Sequence, residues 1–74
     1  MTLAQVPKGK VKIVGFLGER HFQRKMNALG ILIGDSVEII VNNFHGPVII
    51  GKGTMRIAIG WGMANKIIVE KVEE

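Results

Sequence analysis

KVKIVGFLGERHFQRKMNALG, residues 10–30, changes its hydrophobic period halfway along, and that change sets the fold. Lys10-Val11-Lys12-Ile13 alternates polar with apolar and runs into Val14-Gly15-Phe16-Leu17, the period-2 signal of a half-buried strand. From Glu19 to Leu29 the spacing lengthens. Phe22, Met26 and Leu29 stand at i, i+4 and i+7 and share one helix face, with Arg20, Gln23, Arg24 and Asn27 on the others. Gly18 is placed to cap the helix, Glu19 complements the positive end of its dipole, and Gly30 supplies the left-handed residue that stops it. A strand followed at once by a helix of about three turns is the expectation here.

Downstream the period stays near two. Gly34-Asp35 is a turn pair, after which Ser36–Val41 places Val37, Ile39 and Val41 on one face of a second strand. Turn formers collect over residues 42–47, and Pro47 cannot donate into a ladder, so the third strand, Val48-Ile49-Ile50, starts at or after it. Gly51-Lys52-Gly53 predicts a tight reversal into Thr54–Ile59, where Met55, Ile57 and Ile59 alternate with polar or small residues. Gly60–Asn65 reads as a single turn, and Lys66–Glu70 as a closing strand. The fold class is therefore mainly β: a small SH3-like, partly open barrel of about five strands, with one α-helix after the first strand. A flat sheet with one helix would leave an apolar face wet, so strands this short must curl on themselves.

The 74 residues leave room for one domain spanning 1–74. Hydrophobic residues at 47% and charged residues at 22% describe a chain that folds, and the absence of Cys rules out a disulfide framework or thiolate chemistry and points to a reducing, cytoplasmic setting. No apolar run is long enough to cross a bilayer, and MTLAQVPKGK at residues 1–10 has no signal-peptide core, so a membrane role is expected only through a partner. Ten Lys and Arg against six Asp and Glu give a net charge of +4, unevenly spread. Lys8, Lys10, Lys12, Arg20, Arg24 and Lys25 crowd the first third, whereas the tail Glu70–Glu74 is acidic. Nucleic acid is not favoured, because the aromatics needed for stacking on bases are few and sit at core-like spacing.

Five features invite chemical or binding readings. Residues 46–53 match the G-x-x-x-x-G-K part of a phosphate-binding loop, but Gly53 stands where a hydroxyl must reach magnesium, and the segment joins two strands rather than a strand and a helix. His21 and His45 are the weak metal candidates; neither has partners at ligand spacing, and solvated side chains explain both. Met26, Met55 and Met63 fall on apolar stripes and read as core filling. Trp61, between two glycines, is either a contact residue or the plug at the end of the barrel. The basic helix flank Arg20, Arg24 and Lys25 lies off the Phe22-Met26-Leu29 stripe and is expected to project into solvent as a partner-binding patch. No catalytic set is present, so the chain reads as a binding module and not an enzyme.

The segment LGILIGDSVEI, residues 29–39, resembles the FeoA family, the small proteins of ferrous iron uptake. The likeness extends through RKMNALG (24–30), VEIIV (37–41), HGPVII (45–50) and GMANKIIVE (62–70), and departs at Ile33, where the family commonly has Pro. The resemblance implies an SH3-like fold, no catalysis, no cofactor beyond transient iron or another divalent metal, and action by binding the FeoB permease, a transporter with a GTPase domain. The alternatives on the same fold are a nucleic-acid-binding module and the regulatory domain of an iron-dependent repressor. A homo-oligomer through an exposed edge strand or the Trp61 turn is compatible with either.

Overall fold

The alternation at Lys10 becomes strand β1, Gly9–Phe16, in the computed structural model, which describes residues 1–72. Helix α1 (Arg20–Ala28) follows, then β2 (Ser36–Val41), β3 (Val48–Lys52), β4 (Met55–Ile59), a one-turn helix α2 (Trp61–Ala64) and β5 (Ile67–Lys71). The five strands form one antiparallel sheet in the order β4-β3-β2-β1-β5, so the sheet is open, with β4 at one edge and β5 at the other. Apolar residues face each other across the ladders: Val11 with Val37, Ile39 with Ile50, Ile50 with Ile57, Val48 with Ile59 and Ile13 with Val69. Phe22 and Met26 of α1, Ile31 and Ala64 complete the core from the other side.

Two bulges decide which side chains join that core. The β1–β5 register shifts between Ile13 and Gly15, and the β2–β3 register between Ile39 and Val41. Each extra residue reverses the alternation beyond it. Phe16 thereby packs on the core, while Val41, expected inward with Val37 and Ile39, is exposed and Asn42 takes the buried position. The Asn42 amide donates to the carbonyls of Ala4 and Val6, both at 2.9 Å, and its oxygen accepts the Phe44 N–H at 2.9 Å. These bonds fasten an N-terminal 3-10 turn, Leu3–Gln5, whose Leu3 and Ala4 are buried together with Val6. Thr2 bridges Ile68, so this segment also covers the outer edge of β5. Residues 1–7 show neither helical nor strand period, which is why the sequence left them out of the core.

Other expectations need correction. The helix starts at Arg20 with Glu19 as its N-cap, because Gly18 spends its positive φ of 90° turning the chain one residue earlier. A second helix exists, the single turn α2, with Ala64 buried beneath it. The β3–β4 tip is Gly53-Thr54, not Gly51–Gly53, since Lys52 pairs with Met55. Leu29 is exposed instead of buried. Gly30, at φ 89°, ends α1 with its N–H bonded to Asn27 O at 3.0 Å and the Ile31 N–H bonded to Met26 O at 2.9 Å, the paired bonds that return a chain after a left-handed glycine. That return brings Ile31 into the slot the helical spacing had assigned to Leu29. Met55 is exposed as well, because β4 runs from an uncovered start to a buried end at Ile59. Of the acidic tail, Glu73 and Glu74 lie outside the described residues.

Candidate functional site

Helix α1 is held to the barrel by its two inward residues. Phe22 meets Phe16 edge to face, with centroids 5.9 Å apart, and the Lys66 ammonium sits 5.4 Å over the Phe22 ring, a cation–π contact that adds a positive charge beside the helix. With Met26 wholly buried, the helix cannot roll, and Arg20, Arg24 and Lys25 all stay in solvent. Lys25 stands in the last turn, where a cation favours the helix dipole.

The loop after α1 is tightly bonded although it lies at the surface. The Leu32 N–H donates to Asp35 Oδ2 at 2.8 Å, the Gly34 N–H to Ile13 O at 2.7 Å, and the Ile13 N–H to Asp35 O at 2.8 Å. Lys52 reaches over from β3 and donates to the Gly30 carbonyl at 2.6 Å and to Asp35 Oδ2 at 2.7 Å. Burial pushes the Asp35 carboxyl up, but the Lys52 hydrogen bond, the Leu32 amide and the Lys52 charge together outweigh it and leave the group below its ordinary range. The lysine that imitated a phosphate-binding loop is a structural latch.

The end of α1, this latched loop and the start of β4 present apolar side chains to water. Leu29 and Leu32 are each 44% exposed, Ile33 52% and Met55 46%, and Met55 lies over Gly30, its terminal methyl 3.6 Å from where a Cβ there would stand. An aliphatic knob thus continues the line of the basic helix flank, with Lys25 one turn before Leu29. Sequence reasoning assigned Leu29 and Met55 to the core and missed the knob. The signal that could have found it is Gly30-Ile31: an apolar residue directly after a helix-ending glycine competes for the last core position.

Trp61 stands elsewhere. It is half-buried against the core and meets Phe44 edge to face, centroids 6.4 Å apart. Phe44 is 44% exposed and holds φ 63°, a conformation fixed by its bond to Asn42. Among the described residues no hydrogen bond, ion pair or ring contact joins Trp61 to Arg20, Arg24 or Lys25. His21 is exposed on the first turn of α1 and His45 is exposed beside Phe44. Among the described residues no three His, Cys, Asp or Glu side chains form a group that could hold a metal ion. On the outer face of the sheet an open cleft of about 310 Å³ is lined by Lys10, Ser36, Glu38, Gly51 and Arg56 among others, a row of mixed charge without a nucleophile–base pair. No helix among the described residues is long and apolar enough to cross a membrane.

Residues 1–71 match the FeoA domain family. A Methanocaldococcus jannaschii protein carrying the name Fe(2+) transport protein A is 44% identical over 50 residues, which is 68% of this chain; the match spans only 60% of that curated relative. Among solved structures, an iron uptake regulatory protein (FeoA) superposes with a TM-score of 0.87 at 30% identity over 97% of both chains. The manganese regulator SloR superposes with a TM-score of 0.85 at 22% identity, over 97% of this chain and 34% of the regulator, a likeness that shows the shared SH3-like fold alone.

Proposed function

The chain belongs to the FeoA domain family, and on that premise we propose that it is a non-catalytic accessory protein of ferrous iron uptake that binds the cytoplasmic side of a FeoB-type membrane permease. The observation that supports this reading most is the aliphatic knob of Leu29, Leu32, Ile33 and Met55 beside the basic flank Arg20, Arg24 and Lys25. Four large apolar side chains gathered at this loop and left about half exposed form a patch of the kind that marks interaction sites. The cations beside them suit an acidic partner surface, steering encounter and setting orientation while the apolar contact supplies the affinity. Fe2+ is cargo in this scheme, handled by the transporter.

The test is association with the purified permease, measured for the wild type and for two variants. Arg20→Glu combined with Arg24→Glu leaves the melting temperature nearly unchanged, because exposed charges contribute little to stability, and weakens association. Leu32→Glu weakens it further. Binding also falls as salt rises, since exposed charges are screened over about 8 Å at physiological ionic strength. Retained binding in both variants together with loss in Trp61→Ala would move the contact surface to the Phe44–Trp61 pair. A wild type that ignores the permease and binds duplex DNA or RNA with a steep salt slope would replace the transport reading altogether.

A further inference from the structure

The two edges of the sheet are finished differently. β5 is covered on its outer side by the N-terminal segment, through the Thr2–Ile68 bridge and the Val69 N–H donating to Met1 O at 2.9 Å. β4 pairs with β3 and, among the described residues, with nothing on its other side. Its hydrogen-bonding phase follows from the hairpin. A two-residue tip makes Lys52–Met55 a mutually bonded pair, so Ile50–Ile57 and Val48–Ile59 are bonded pairs too. The N–H and C=O groups of Met55, Ile57 and Ile59 therefore point to β3, and those of Arg56 and Ala58 point outward.

Edges of this kind are usually guarded by a charge, a Pro or a bulge. β4 contains no Pro, its register with β3 is unbroken, and its one charge is drawn away from the edge: the Arg56 guanidinium folds back across β3 to the space left by Gly51, where its Nη1 would stand 3.0 Å from an added Cβ. Gly51 thus disarms the guard. The same strand leaves Met55 exposed and Ile57 half-exposed on the face that elsewhere lines the core.

From the unpaired edge, its outward phase and the withdrawn arginine, we propose that β4 is the interface of a symmetric homodimer, formed by antiparallel pairing of β4 with β4 of a second copy about a two-fold axis at Ile57. This register fits a second copy in particular. Arg56 and Ala58, the residues with outward backbone groups, fall opposite each other and form two mutually bonded pairs, while Ile57 meets Ile57 in the closer, non-bonded pair between them. Large Arg56 faces small Ala58, so no like charges oppose each other despite the net charge of +4. Met55 comes opposite Ile59, continuing the apolar face from one copy into the next. The contact is isologous and closes, giving a ten-stranded sheet and no fibre.

The experiment is sedimentation equilibrium of the intact protein from about 1 µM to about 1 mM, the range in which a small interface associates. The wild type is expected to move from monomer to dimer mass. Ala58→Pro removes an outward N–H and no bond to β3, a position where an edge strand tolerates Pro. It should stay monomeric with the circular dichroism and melting temperature of the wild-type monomer. Two exposed substitutions at the same site read the register by sign. Ala58→Glu sets a carboxylate opposite Arg56 twice per dimer and should tighten association, whereas Ala58→Lys should weaken it, each by roughly 2- to 30-fold. A wild type that remains monomeric at the highest concentration overturns the proposal, as does a dimer that keeps its strength in folded Ala58→Pro. If Ala58→Pro fails to fold, the charge pair decides, and equal effects of Glu and Lys overturn the register. A monomeric wild type whose permease binding is lost in Ala58→Pro would assign the edge to the partner instead.

Discussion

Two surface segments of this protein are each fastened by one side-chain donor from a distant part of the chain, and they display different contents. Asn42 bonds to Ala4 and Val6 and holds a segment whose apolar side chains are inside; Lys52 bonds to Gly30 and Asp35 and holds one that buries Ile31 but leaves Leu32 and Ile33 outside. Polar fastening of a loop is therefore not in itself evidence of a stability role. At the N-terminal segment the bonds satisfy carbonyls sealed from water while Leu3, Ala4 and Val6 fill the core, so fastening and burial work together. At the loop 30–35 the bonds fix Ile31 in the core and also rigidify Leu32 and Ile33, which stay exposed; in the proposed reading that rigidity reduces the ordering cost of binding.

The contrast predicts a graded series of effects. Leu3→Ala removes a wholly buried side chain and should cost about 2–5 kcal/mol in urea unfolding, enough to threaten so small a domain. A shift of the urea midpoint no larger than that of a surface substitution would break the comparison at its closed end. Asn42→Ala strands two buried carbonyls and should cost roughly 2–4 kcal/mol, with faster amide exchange confined at first to residues near the N-terminus and β5.

Asp35→Asn sharpens the other side. The folded Asp35 carboxyl is held below its ordinary value, so its contribution to stability is present above the unfolded pKa of about 3.9 and disappears as pH falls through the folded value. The variant should be less stable than the wild type by roughly 1–2 kcal/mol at neutral pH, and the two should converge in acid below pH about 4. Thermal unfolding at a series of pH values reads this directly, and a difference that persists at low pH would show that the latch works by shape instead of charge. Smallest of all, Leu32→Ala should move stability by no more than about 0.5 kcal/mol, although it trims the knob proposed to meet the permease. A large loss of stability there would mean that the knob is a piece of core left partly uncovered.

Much of this architecture could be read from the chain. The five strands, the position of α1 and the hairpin all follow from periods of two and 3.6 punctuated by Gly and Pro, and the structure keeps them with shifts of one or two residues at the ends. The basic flank was legible because Arg20, Arg24 and Lys25 lie off a stripe fixed by Phe22 and Met26, which both reach the core. The aliphatic knob was not legible. Hydrophobicity says that Leu29 and Met55 prefer burial, but it does not say whether a neighbour is available to bury them, and in this fold Ile31 arrives first.

The sequence by itself determined which residues alternate, where the chain must turn and where charge gathers, because these depend on local sterics and on the spacing of side chains along one element. Only the tertiary structure decided which edge of the sheet is covered, which way the chain faces beyond each bulge, and which apolar residues lie outside. Those outcomes depend on one extra residue at Val14 and Ile40, on a lysine and an asparagine that find their carbonyls 22 and 36 to 38 positions away, and on the competition of several apolar side chains for a core too small to take them all.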